Sequence, residues 1–267
     1  MKGGADLAPR LYISTIAPDA AAMARRWGLG LELAHFCAAL NLEGERRSVT
    51  EEAMRRDMAA AARFVLHAPF CELTPAAVDP LIGQVSRRRY QQSFDLAWAH
   101  GVKRLVIHSG FVPNVYFDQW FTEQAPVFWQ EFLADKPAGC RLLLENVLDS
   151  GPHLLRAVVE RVNDPRLRVC FDAAHAAIYS PVPLEEWIDV LGPYIDHVHV
   201  HDNQGQADQH LALGQGTLPW ERLLSRLERQ ASPPSYTLET LPAAPALAWL
   251  AQQGFLHAAG LQQGLIL

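Results

Sequence analysis

The densest chemistry in the chain runs from His197 to His210, where His197, His199 and His201 alternate with Val198 and Val200. A period of two is the signature of a strand, here with one apolar face and one face of imidazoles. Asp202 ends the strand, and Asp208-Gln-His210 follows on a glycine-containing loop. Imidazoles beside carboxylates suit a divalent metal such as zinc or manganese. The plainer alternative is a set of core histidines satisfied by hydrogen bonds.

Composition bounds the rest. Of the 267 residues, 49% are hydrophobic and 19% charged, enough for a packed core, and the formal net charge of −6 offers nothing to nucleic acid or an acidic membrane. Met1 to Arg10 contains no apolar stretch of the kind a secretory signal needs, and no long apolar run follows, so a cytoplasmic location is expected. Cys37, Cys71, Cys140 and Cys170 are far apart and form no Cys-x-x-Cys pair, which fits reduced thiols better than a disulfide framework.

Positioning these residues falls to short apolar runs that alternate with amphipathic stretches. Strands are expected at Leu11–Ile16, Leu29–Phe36, Arg63–His67, Lys103–His108, Arg141–Asn146, Leu167–Asp172, Ile195–His201 and Tyr236–Thr240. Helices fill the intervals: one opened by Pro18 and stopped by Gly28, one capped by Thr50, and one started at Asp118 and bent by Pro126. Eight strand-then-helix units in this length predict an α/β fold, a (β/α)8 barrel, as one domain over 1–267 with peripheral tails at 1–10 and 256–267. An open doubly wound sheet would announce a nucleotide with a glycine-rich first turn, but that turn reads Thr15-Ile-Ala-Pro-Asp19.

Such a barrel gathers its site at the C-terminal strand ends. There the sequence puts His67, His108, Glu145, Asp172, His199 and Glu239, on strands three to eight, and the loops add His175, Asp208 and His210. Strand alternation gives Val106 and His108, Leu143 and Glu145, Cys170 and Asp172, and Thr237 and Glu239 a shared inward parity. Carboxylates converging there would repel one another without cations, so one to three divalent ions are expected.

In this order the strand-end motifs resemble the xylose isomerase-like barrel superfamily, with its sugar phosphate isomerase/epimerase group and its endonuclease IV-like (AP endonuclease family 2) group. They are His67-Ala-Pro69, His108-Ser-Gly110, Leu144-Glu-Asn146, Asp172-Ala-Ala-His175, His199-Val-His-Asp202, Asp208-Gln-His210, Leu213-Gly-Gln-Gly216 with Trp220, and Leu238-Glu-Thr240. The resemblance to the isomerases implies a metal held by Glu145, Asp172, His199 and Glu239. The resemblance to endonuclease IV implies up to three zinc ions, with His67, His108, His175, Asp208 and His210 as further ligands.

The loops bear on substrate. Nucleic acid calls for Lys and Arg at the binding face. Apart from Arg46 and Arg47 after strand two, the strand-end loops carry none. The loop after strand four is aromatic, with Phe111, Tyr116 and Trp120 as candidate substrate contacts beside His67 and His175. The leading expectation is therefore a sugar or polyol isomerase or epimerase using zinc or manganese, with magnesium or cobalt as alternatives. Glu145 and Glu239 would exchange the carbon-bound proton through an enediolate that the metal stabilises. The rival expectation is a multi-zinc hydrolase of a phosphodiester or related ester, and the third is a non-catalytic sugar- or metal-binding barrel. Expected partners are a small polyhydroxy substrate and, through the aromatic loop, a second copy in a homodimer; nucleic acid and membrane are not expected.

Overall fold

Alternation along each strand produces a sheet with two unlike faces, and the chain buries both by closing the sheet. The computed structural model describes residues 5–257. Its strands are β1 (Leu11–Ser14), β2 (Gly30–Leu33), β3 (Phe64–His67), β4 (Arg104–His108), β5 (Arg141–Glu145), β6 (Leu167–Asp172), β7 (Ile195–Val200) and β8 (Ser235–Leu238). They pair in parallel in sequence order, and β8 returns to β1. The helices α1 (Ala20–Trp27), α2 (Gly44–Met58), α3 (Pro80–Ala99), α4 (Asp118–Leu133), α5 (Pro152–Val162), α6 (Ala173–Tyr179), α7 (Leu184–Leu191), α8 (Trp220–Leu227) and α9 (Ala244–Gln252) link the strands. None is long and apolar enough to cross a membrane.

The two faces form separate cores. Leu142, Leu144, Val169, Phe171, Ile107 and Leu238 point outward into the shell packed by the helices. Tyr12, Val65, Val106, Leu143 and Cys170 form an inner apolar plug. Above the plug the inward positions turn polar, and Ser14, Glu32, His67, Glu145, Asp172, His199 and Glu239 are all buried. All four cysteines are free thiols.

Several local expectations are sharpened. Gly28 ends α1 with φ +65°, a left-handed cap that glycine adopts without steric cost. Thr50 does not open the next helix: α2 begins at Gly44, with Glu43 extended at its N-cap and paired with Arg89 of α3. Pro126 leaves α4 continuous. It removes the N–H that would bond Thr122 O, and the Arg161 guanidinium takes that carbonyl instead. The described parts of the tails are docked: Leu7 is buried with its N–H on Phe255 O at 2.9 Å, and His257 N–H reaches Asp6 Oδ1. The remaining tail residues, 1–4 and 258–267, lie outside the described residues.

Two stability predictions follow from this packing. A Cβ on Gly30 would lie 2.2 Å from Tyr12 Cδ1, because the Tyr12 ring crosses the strand at that point. Gly30→Ala should therefore destabilise the barrel by about 2–3 kcal/mol of overpacking, read as a lowered urea midpoint with unchanged slope. Asp149 is buried in the loop after β5. Its Oδ2 accepts from Ser109 Oγ at 2.8 Å and Val147 N at 3.1 Å, while Oδ1 has no partner. Burial pushes this carboxyl up to about 6. The folded state thus binds the proton more tightly than the unfolded chain, and stability falls as pH rises from about 4 through 6. Asp149→Asn should stabilise the fold at pH 8 by on the order of 2–3 kcal/mol, read as a raised melting temperature, and leave stability unchanged at pH 4. Equal effects at both pH values would refute the assignment.

Candidate metal centre

Nine predicted ligands meet at the C-terminal mouth, and their ligand atoms sort into three groups. In the first, His199 Nδ1 lies 3.3 Å from Glu145 Oε1, 3.6 Å from Glu239 Oε2 and 3.7 Å from Asp172 Oδ2. In the second, His67 Nε2 and His108 Nε2 are 3.2 and 3.4 Å from Glu145 Oε2. In the third, His175 Nε2 and His210 Nε2 are 3.4 and 3.2 Å from Asp208 Oδ2. Ligands about 2.1 Å from a tetrahedral ion stand about 3.4 Å from one another, so these spacings are those of a coordination shell. Further groupings of His, Cys, Asp and Glu with ligand atoms within 4.8 Å of one another occur here, among them Asp172 with His175 and His201.

The buried nitrogens provide a second test of fit. His199 Nδ1 and Nε2, His201 Nδ1 and Glu32 Oε1 are buried without a hydrogen-bond partner. Such orphans are costly, and an ion at His199 Nδ1 would satisfy one of them. Three other imidazoles are already set for ligation: Nδ1 of His67, His175 and His210 faces the carbonyls of Ala68, Asn146 and Glu239 at 2.9, 3.2 and 2.6 Å. A ring that donates through Nδ1 can offer Nε2 to an ion once that nitrogen gives up its proton, the usual way a backbone carbonyl fixes a metal-binding tautomer.

Burial lowers His67, His175 and His199, but neighbouring acidic groups raise all three well above the ordinary imidazole value, so ligation there would displace protons. Burial pushes the Glu145 carboxyl up, but His199 and His108, with His175, outweigh it and hold the group well below the usual carboxylate range. Burial, reinforced by His67, His175 and His199 and only partly opposed by Glu145, draws His108 down to about 3, so it is a neutral lone-pair donor near pH 7. Burial lowers His210, yet Asp208 and Glu239 bring it up to about 9.

Local structure explains how the loops reach the mouth. Asp172 is the N-cap of α6 and accepts from His175 N at 2.8 Å, which turns His175 back over the strand end. The Asn146 side chain binds both backbone groups of Asp172, at 2.7 and 2.9 Å. Asp202 is a clasp and not a ligand. It accepts from Asn203 N, Leu218 N and Gly214 N at 2.9, 3.1 and 3.0 Å, and its backbone bridges Leu211. Gly216 packs so tightly on this clasp that a Cβ would sit 2.3 Å from Asp202 Oδ1. The Gly-Gln-Gly motif therefore serves the loop that carries Asp208 and His210 over the barrel.

Three residues have roles that strand-end reading does not assign. Glu32 on β2 stands 3.1 Å from His199 Nε2, deep under the mouth. His197 lies below it, and His201 Nε2 contacts Asp172 Oδ2 at 3.1 Å while its ring stacks on His210. The signal for Glu32 was a carboxylate inside the apolar strand Gly30-Leu-Glu-Leu33. The aromatic residues divide. Phe111 and Tyr116 line a largely apolar cavity of about 340 Å³ that also touches Phe70, Leu73, Val147 and His108. Trp120 turns away, with its indole N–H on Ala76 O at 2.9 Å.

Comparison with known proteins bears on this geometry. The TTHB071 protein from Thermus thermophilus, in crystals soaked with ZnCl2, is 27% identical, with a TM-score of 0.72 over 91% of this chain and 97% of that one. A D-tagatose 3-epimerase-like protein has a TM-score of 0.73 at 20% identity, over 91% and 96% of the two chains, a likeness of fold. A probable endonuclease 4 from Mesomycoplasma hyopneumoniae is 25% identical over 177 residues, 60% of this chain. The chain spans 60% to 66% of the length of the curated relatives it matches. The profile of the xylose isomerase-like TIM barrel family matches residues 24–258, and with the closed eight-stranded barrel in place this chain belongs to that family.

Proposed function

We propose that the protein is a divalent-metal-dependent hydrolase that holds up to three ions and cuts a phosphodiester or related ester in a small substrate. The observation that carries this is the division of Glu145. Its Oε2 faces Nε2 of His67 and of His108, and its Oε1 faces Nδ1 of His199, all within 3.2–3.4 Å. A carboxylate so placed is a bridge between neighbouring cation sites, and neither oxygen is left to take a proton from carbon. Bound ions would act as Lewis acids on the ester oxygen and lower the pKa of a water held between them. With ions bound, the Nδ1 contacts of His67, His175 and His210 to backbone carbonyls would keep the donor set rigid, and Glu239 lies at the edge of the first group.

Substrate size and polarity are read from the walls. The cavity beside His108 is largely apolar, the strand-end loops carry no Lys or Arg, and Arg46 and Arg47 lie in α2, so a nucleic-acid backbone would find little counter-charge. A small ester with an apolar substituent fits better. The similarity to a probable endonuclease 4 supports the hydrolytic chemistry, and that to a protein studied with ZnCl2 supports the metal.

A second reading rests on the first ligand group alone. Glu145, Asp172, His199 and Glu239 make a complete four-donor set, and a single ion there would suit a sugar isomerase or epimerase with Glu145 and Glu239 as proton carriers. One pair of measurements separates the two. Elemental analysis of protein purified without chelator should give two or three divalent ions per chain. Hydrolysis of bis-p-nitrophenyl phosphate should fall at least about 100-fold in His108→Ala. One ion per chain, no hydrolysis, and solvent deuterium entering ketoses until Glu239→Gln stops it would give first place to the isomerase.

A further inference from the structure

Beneath the mouth, a chain of buried polar groups runs down the barrel axis, and none of the three ligand groups uses it. Glu32 is fully buried. Its Oε2 accepts from Thr237 Oγ1 at 2.7 Å and stands 3.2 Å from His197 Nε2. His197 Nδ1 lies 2.7 Å from Ser235 Oγ. Ser235 Oγ donates to Asp196 O at 3.1 Å and accepts from Arg104 Nη2 at 2.9 Å. Proton directions follow from these contacts. Because Ser235 gives its hydrogen to Asp196, His197 must donate through Nδ1. A neutral His197 then carries no proton on Nε2, which lies 2.8 Å from Thr237 Oγ1, so the Thr237 hydroxyl is the donor between His197 Nε2 and Glu32 Oε2 and fixes that carboxylate oxygen.

The other oxygen, Glu32 Oε1, has no hydrogen-bond partner and lies 3.1 Å from His199 Nε2 without hydrogen-bond alignment. A neutral imidazole has one proton. If His199 gives its Nδ1 lone pair to an ion shared with Glu145, Asp172 and Glu239, the proton must sit on Nε2. Glu32 Oε1 is the one carboxylate oxygen that faces that nitrogen among the described residues.

We propose that Glu32 is a positioning residue. It takes the Nε2 proton of His199 and so turns Nδ1 toward the first ligand group, while His197, Thr237, Ser235 and Arg104 hold Glu32 in place. The arrangement is a carboxylate–histidine–metal triad built from strands β2 and β7 on the barrel axis. It depends on the four-donor group and not on whether the substrate is hydrolysed or isomerised.

The test is metal binding. Zinc affinity would be measured by competition with a chromogenic chelator, and ions per chain by elemental analysis, for wild type, Glu32→Leu and Glu32→Gln. Glu32→Leu should weaken one zinc site by about 10–100-fold and leave the others at wild-type affinity. Glu32→Gln, which still offers an acceptor oxygen, should recover most of that loss. A purely structural role would lower the melting temperature of the metal-free protein and leave every zinc affinity unchanged, and that result overturns the proposal. If neither variant folds, anomalous diffraction from the zinc-loaded wild type decides. Zinc on His199 Nδ1, with Nε2 hydrogen-bonded to Glu32, supports the triad; zinc bound by Nε2 or by Glu32 itself overturns it. Loss of zinc affinity in a protein that hydrolyses no ester would leave the triad standing and remove only the hydrolase reading.

Discussion

Everything above the barrel's midplane depends on burying negative charge without a conventional counter-charge. Glu32, Glu145 and Asp172 are buried, with Glu239 and Asp208 beside them. Among the described residues their charged partners are imidazoles alone. An unpaired carboxylate in such a setting costs several kcal/mol. Imidazoles offset part of that, and the spacing of about 3.2–3.7 Å between donors leaves room for cations to offset the rest. Lysine or arginine would neutralise the same charge but would fill the mouth that a substrate must enter.

The fold answers this demand by dividing labour along its axis. Below the mouth an apolar cluster that includes Tyr12, Val65 and Leu143 packs beside the buried polar chain from Glu32 to Arg104, tight enough that β2 needs glycine at position 30. The loops then behave as extensions of the strands. Asp202 clasps the segment that ends in His210, and Asn146 locks β5 to β6 through the backbone of Asp172. Ligands on loops thereby gain the rigidity of ligands on strands, which a metal shell requires.

The walls are of a different character from the floor. Phe111, Tyr116 and Leu73 border an apolar cavity that opens on His108, whose ring is stacked by Phe70 at 4.2 Å. The apolar wall and the candidate ligand groups therefore meet at one imidazole. Loops that vary over a constant barrel are the common route by which this architecture changes substrate while keeping its chemistry.

Sequence alone determined the barrel and most of its mouth. Alternation has a period of two, so His67, His108, Glu145, Asp172 and His199 could be assigned to one face and one end before any contact was known. Tertiary structure decided what depends on which atom meets which. The two oxygens of Glu145 divide three histidines contributed by three different elements, and no pattern along the chain encodes that choice. Glu32 looked like a lone carboxylate in an apolar strand until closure of the barrel brought β2 and β7 face to face across the axis. Thr50 had the right local chemistry for a helix cap, but α2 begins at Gly44 and Thr50 lies inside it. Trp120 had the right type for a substrate wall, but a hydrogen bond to Ala76 turned it away. Local periodicity fixes which way a side chain points; only packing across the barrel fixes what it touches.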